Sequence, residues 1–291
     1  MLAGNSNIVR LPGKPFEQVD IISKAVGELL KDQHRDLAPY ICFVKFPPVK
    51  EITDAFSSIC NVRVIWGGDM TISELRQSEI PARTTEITFA DRHSVAVIDA
   101  DAYLEAERKD TIIQNFYNDT YYSDQNACTS PRIIFWQGRK KAEAKADFWK
   151  RVHELVKSKY NLAPVQAVGK LNAFYSVASQ KKVKLVESED MFITRVNVDR
   201  IDRDLMNFKY NSGFYFEKDI EDLKEIADAC DIKCQTITYY GVKEEDFRRF
   251  LDNTRPIGVD RIVPIGKSMD FTLVWDGYDL IRQMSRKVTI I

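Results

Sequence analysis

The sequence predicts an α/β protein built on parallel sheet, and three observations carry that prediction. Short β-branched runs alternate with segments of helical period from the first ten residues onward. Residues 94–101 begin another αβ unit, and the helical segment after them leads to a short apolar run, Ile133-Ile134-Phe135-Trp136. The 291 residues, 44% hydrophobic and 29% charged, hold enough apolar material for the cores of two ordinary domains.

Taken in order, residues 6–12 form a short strand, and Val19, Ile22, Val26 and Leu29 recur at helical spacing across residues 14–33. Tyr40-Ile41-Cys42-Phe43-Val44 is a strand closed by Pro47-Pro48, and Ile52, Phe56 and Ile59 share one face of a second helix. Val62-Arg63-Val64-Ile65-Trp66 is a third strand, running into Gly67-Gly68-Asp69 and a brief helix over 71–77; residues 85–89 make a fourth. Cys42 and Cys60 fall on the apolar faces of these elements and are expected in the core. Residues 94–101 open a further unit, and one helix is expected over 102–120, with Ile112, Ile113, Phe116 and Thr120 facing inward. Residues 140–159 form an amphipathic helix with Phe148, Val152 and Leu155 as its stripe. Strands and short helices continue through 185–198, 214–216 and 236–239, and a helix over 243–253 precedes the Gly-containing stretch 257–266. Val288-Thr289-Ile290-Ile291 reads as a terminal strand placed to pair with a second subunit, so a homo-oligomer is expected.

The formal net charge of −1 and pI near 6.4 give no electrostatic footprint for nucleic acid or an acidic membrane surface. No apolar run approaches the ~20 residues a membrane span needs. Five cysteines without framework spacing fit a reducing, cytoplasmic setting. Met1-Leu2-Ala3-Gly4 carries neither a basic leader nor an apolar signal core.

The candidate for chemistry is Cys128, in Asp124-Gln125-Asn126-Ala127-Cys128-Thr129-Ser130-Pro131-Arg132. It sits at a junction between a helical segment and an apolar run, where chains expose reactive side chains. A thiol attacks as thiolate, and Arg132 and the local N–H groups could favour that form. Composition alone favours a half-buried structural cysteine. His93, beside Asp91 and Arg92, is a weaker candidate base; His34 and His153 read as surface residues. Cys230 and Cys234 are spaced like two metal ligands with no neighbour to complete a zinc site. Gly138-Arg139-Lys140-Lys141 reads as a solvated helix start.

Ala3-Gly4-Asn5-Ser6-Asn7-Ile8-Val9-Arg10, Trp66-Gly67-Gly68-Asp69, Phe89-Ala90-Asp91-Arg92, Asp124-Gln125-Asn126-Ala127-Cys128, Asp260-Arg261-Ile262-Val263-Pro264-Ile265-Gly266 and Trp275-Asp276-Gly277-Tyr278-Asp279 occur in this order. Together they resemble the LuxC-type acyl reductases, a branch of the aldehyde dehydrogenase superfamily known from bacterial luminescence. The resemblance implies an aldehyde-dehydrogenase-like fold: a partial Rossmann-type nucleotide-binding domain over 1–93, an α/β catalytic domain over 94–275, and a tail, 276–291, returning to the first domain or to a neighbouring subunit. Members of the family carry a long segment upstream of the point where this chain starts, so the chain resembles their C-terminal part.

The implied reaction passes an acyl group from acyl-CoA, or from a partner acyl-protein synthetase, to Cys128 as a thioester. NADPH then reduces it to the fatty aldehyde. The Cys128 N–H is the natural first oxyanion donor, and the superfamily's second donor comes from the upstream region. A remnant or acyl-accepting subunit that does not reduce is the alternative expectation. Arg10 stands where the superfamily places a lysine near the adenine ribose, and a cation there suits a 2′-phosphate. Gly67 and Gly68 follow a strand and open a helix, as a dinucleotide turn does. The water-activating glutamate of Glu-Leu-Gly-Gly in hydrolytic relatives has no counterpart in Ile87-Thr88-Phe89-Ala90-Asp91-Arg92, with Glu86 one residue away; its loss suits a reductase.

Overall fold

The structure is a computed structural model that describes residues 2–291. The chain divides into two compact units: the residues up to Ala90 together with Thr272–Ile291, and Asp91–Phe271.

In the first unit β1 (Asn7–Arg10), α1 (Glu17–Lys31), β2 (Ile41–Val44), α2 (Lys50–Ile59), β3 (Val62–Trp66), α3 (Asp69–Leu75) and β4 (Thr85–Phe89) alternate as the hydropathy pattern predicts. The strands join as two separate parallel pairs, β1–β2 and β3–β4. Burial is thin. No residue of α1 is buried, and only Ser57 is buried in α2. Cys42 is exposed and Cys60 only half-buried, which corrects the core placement expected for both. The small core comprises Ile87, Phe89, Trp275 and Leu280, with Val62, Tyr278 and Met284 against it.

The second unit contains β5 (His93–Asp99), α4 (Ala100–Glu105), α5 (Lys109–Asp119), β6 (Pro131–Gln137), α6 (Lys141–Lys159), α7 (Pro164–Ala178), β7 (Val183–Leu185), β8 (Thr194–Val198), β9 (Phe214–Asp219), β10 (Cys234–Tyr240), α8 (Glu244–Thr254) and β11 (Arg261–Pro264). They form one seven-stranded sheet in the order β11-β10-β5-β6-β9-β8-β7, parallel throughout except β7–β8. The pleat sends Val95, Val97, Ile133 and Phe135 into one apolar layer and Ala96, Ile98, Ile134 and Trp136 into the other. Both faces are therefore dry, which is why these strands are apolar without alternation.

The helix expected over 102–120 is two helices, separated where Ala106 takes extended backbone and donates back to the Tyr103 carbonyl. Ile112, Ile113, Phe116 and Thr120 do face inward. The last part of the chain forms β12 (Val274–Trp275), β13 (Tyr278–Asp279) and α9 (Leu280–Gln283). Val288–Ile291 is not a strand; these residues are exposed and have no ladder partner in this chain, and a strand is defined by its ladder. Among the described residues, no helix is long and apolar enough to cross a membrane.

Candidate active site

Cys128 lies in the loop between the 3₁₀ turn Tyr121–Ser123 and β6, at the amino-terminal edge of the large sheet. Open parallel sheets usually place their sites at the opposite, carboxyl edge. The Cys128 side chain is half-buried, open enough to react and held by its surroundings.

The loop is a chain of tight turns: Asp124 N–H donates to Tyr121 O (2.9 Å), Asn126 N–H to Ser123 O (2.9 Å) and Ser130 N–H to Ala127 O (3.0 Å). Among the described residues, two of the five non-glycine positions with positive φ are in this loop, Asp124 (51°) and Gln125 (53°), and a third, Ser212 (60°), donates its N–H to the Asp124 carbonyl at 3.4 Å. Left-handed backbone costs a side-chain-bearing residue roughly 1–3 kcal/mol and persists only where surrounding contacts over-determine it. Those contacts are present. The buried Gln125 amide accepts from Gly213 N–H (2.7 Å) and Phe214 N–H (3.2 Å) and donates to Pro131 O (3.2 Å), stitching the starts of β6 and β9 together. Gly213 is required at φ 83°, since a Cβ would stand 2.1 Å from Tyr121 Oη and 2.6 Å from Phe192 O. The Asp124 carboxylate accepts from Tyr160 and from Gln166 Nε2 (3.2 Å).

Arg132 is 7% exposed, and its guanidinium donates to Tyr210 O (2.6 Å), Asn211 Oδ1 (2.6 Å) and the Gln125 carbonyl. Burial lowers its pKa to about 10, which leaves it cationic at neutral pH, and negative charge on Cys128 favours that cation. It therefore both builds the loop and sets positive charge within electrostatic reach of the sulfur. Beside the loop is a cavity of about 300 Å³ lined by Asp124, Gln166, Lys209, Tyr210, Asn211 and Ser212. The Lys170 ammonium, in a fully buried residue, donates to Ser212 O (2.7 Å) and to the Met191 carbonyl, and burial lowers its pKa to about 8.

His93 is buried with a ring nitrogen engaged. It is 4% exposed with Nε2 3.1 Å from the Ala229 carbonyl, because it begins a central strand. His34 is exposed, and His153 pairs with Asp190 at 2.7 Å. Cys230 and Cys234 are buried, and among the described residues no group of three or more His, Cys, Asp or Glu could hold a metal. In the basic stretch at the start of α6 Arg139 projects into solvent at 91% exposure, whereas Lys141 is largely buried, donating to Ile220 O (3.1 Å) and pairing with Glu221.

The nucleotide candidates lie in the first unit. The Arg10 guanidinium stacks over the Phe46 ring at 4.5 Å and reaches the Phe46 carbonyl at 3.5 Å. Gly67 N–H donates to Phe89 O (3.1 Å), and a Cβ there would press Thr71 at 3.1 Å, so the turn is tight. Gly68 caps α3, and the space a Cβ would occupy at Gly68 is open. An exposed cation and an open Gly turn at a helix start fit a phosphate-bearing group. Glu86 is a structural carboxylate. Burial alone would raise its pKa, but bonds from Arg76 (2.7 Å) and Arg63 (2.9 Å) outweigh that and hold it below the usual range.

Ser94 and Lys170 were invisible as site residues in the sequence. The one available signal for Ser94 was a hydroxyl near the start of an otherwise apolar strand.

Solved structures similar to this chain include several aldehyde dehydrogenases. A lactaldehyde dehydrogenase has a TM-score of 0.60 at 12% identity, over 90% of this chain and 56% of that one. An aldehyde dehydrogenase from Brucella melitensis biovar abortus 2308 has 0.62 at 15%, over 90% and 55%. An NAD-dependent benzaldehyde dehydrogenase from Corynebacterium glutamicum has 0.60 at 11%, over 90% and 58%. The chain spans a little over half the length of these structures, and at such identities the likeness establishes the fold. A search of curated proteins finds no match. A sequence model described as "Acyl-CoA reductase (LuxC)" matches residues 1–287. With nearly its whole length so matched, on an aldehyde-dehydrogenase-like fold, this chain belongs to the LuxC acyl-CoA reductase family.

Proposed function

We propose that Cys128 is the acyl-accepting nucleophile in the NADPH-dependent reduction of a fatty acyl thioester, acyl-CoA or acyl-protein, to the aldehyde. The observation that carries this reading is a half-buried thiol on a strained, fully braced loop with a buried arginine in electrostatic reach. The Cys128 sulfur attacks the thioester carbonyl, its bond to the acyl carbon forms, the carbon–sulfur bond to the donor breaks, and the donor thiolate takes up the proton the cysteine gave. The Cys128 N–H is the natural first donor to the developing oxyanion, and Arg132 holds the loop that carries the sulfur. A bound nicotinamide dinucleotide would supply hydride. Arg10 with Gly67 and Gly68 would hold its phosphates, and the cation at Arg10 favours NADPH.

An acyl-protein synthetase as acyl donor, a homo-oligomer and a cytoplasmic setting complete the reading. The decisive experiment is labelling with radioactive acyl-CoA. The Cys128→Ala chain is expected to take up no label and form no aldehyde; retained labelling refutes the assignment.

A second reading, an acyl-accepting subunit that does not itself reduce, draws support from the separate strand pairs and thin core of the first unit. Titration of NADPH fluorescence separates the two. Quenching at micromolar concentrations supports the reductase, and none supports the acceptor.

A further inference from the structure

Ser94, the second residue of β5, has a fully buried side chain. Its hydroxyl donates to the Cys128 carbonyl at 2.7 Å and accepts from the Thr236 N–H at 3.2 Å. The ladders on both sides are irregular at this residue. β5 and β6 shift register between Ser94 and Val95, and β10 shifts against β5 between Cys234 and Thr236. Bulges leave main-chain groups without ladder partners. One hydroxyl therefore satisfies a donor on β10 and the carbonyl of the candidate nucleophile.

A trans peptide sets the N–H of the next residue opposite the carbonyl. Anchoring the Cys128 oxygen thus also fixes the direction of the Thr129 N–H. If that peptide turned over, a carbonyl oxygen would face the site where the oxyanion must develop, and like polarity there opposes acylation. We propose that Ser94 is a positioning residue for Cys128: its hydroxyl holds the peptide after the nucleophile so that the neighbouring N–H groups stay aimed at the acyl oxygen. This rests on the acyl-cysteine reading above.

The test compares two reactions of the same sulfur in the full chain. Acylation by straight-chain acyl-CoA thioesters needs the oriented main chain, and alkylation by iodoacetamide does not. In Ser94→Ala, acylation is expected to slow by at least about tenfold while alkylation of Cys128, counted by peptide mapping, changes less than about threefold, since the lost bonds act through orientation. Ser94→Cys keeps a weaker donor of nearly the same shape and is expected to fall between parent and alanine variant. Should Ser94→Ala fail to fold, the same comparison on Ser94→Cys decides. Any pattern in which acylation falls no further than alkylation overturns the positioning role. A parent chain that accepts no acyl group refutes the acyl-cysteine reading instead. The hold of Ser94 is then measured by amide hydrogen exchange at Thr236, whose N–H it accepts and which Ser94→Ala must speed by about tenfold or more; unchanged exchange there overturns it.

Discussion

The two units follow the same strand–helix grammar with very different burial. In β5 and β6 six of seven residues are buried; in β1 none is. The inner faces of α5 and α6 carry Phe116, Phe148 and Trp149 into an aromatic cluster, whereas Ile21 and Ile22 on α1 stand about 60% exposed. A seven-stranded sheet has two central faces to cover, and its helices cover both. An isolated parallel pair has two open edges and too little area to bury a helix. Hydropathy period thus identifies the face that prefers burial and says nothing of whether anything covers it.

The sharpest way to break the contrast is Glu217. In the dry core its carboxylate accepts from Trp136 (3.0 Å) and Trp149 (2.6 Å) and pairs with Arg195 (3.3 Å). Glu217→Ala strands a cation and two indole N–H groups, so urea unfolding of the second unit should lose about 3–5 kcal/mol. A loss under about 1 kcal/mol means that core is not close-packed as described.

The buried Lys170 gives a pH signature on the order of 3–4 kcal/mol, from a shift between 10.5 and about 8 at ~1.4 kcal/mol per unit. Its folded pKa is lowered, so between pH 8 and 10.5 the unfolded chain binds more protons and stability rises with pH. Lys170→Met should flatten that rise relative to the parent. Parallel curves for the two chains would exclude a lysine whose pKa burial lowers.

In the first unit the largest local term is Glu86 between Arg63 and Arg76. Its lowered pKa means its contribution is complete above the unfolded value near 4.5 and is lost as pH falls through the folded value. Glu86→Gln should speed exchange of β3 and β4 amides by the equivalent of about 1.5 kcal/mol at pH 7 and remove the acid sensitivity. Smallest of all, Ile22→Ser on α1 should change stability by less than about 0.5 kcal/mol, because nothing packs over it. A cost of several kcal/mol would show that this face is covered in solution.

Much of the sheet was legible in the sequence, because apolar strands covered on both faces cannot be mistaken for surface elements. The break between α4 and α5 was not, since no Gly or Pro marks residues 106–108 and tertiary packing alone sets it. α7 carried a helix-start signal in Pro164 but little amphipathic period. At the site, Cys128, Arg132 and Gln125 fell within one motif. Ser94, Lys170 and Ser212 converge on the loop from 30 residues or more away in sequence, and no local pattern encodes that distance.

The thiol lies at the amino rim of the large sheet, so on the acyl-cysteine proposal the connections at its carboxyl rim stand away from the chemistry. Gly138 and Gly241 make turns there, and Arg139 points into solvent. A dye, an affinity handle or a short insertion attached at Arg139 would sit a full strand length from the sulfur. Acyl transfer could then be followed on working protein with the reporter outside the chemistry it reports.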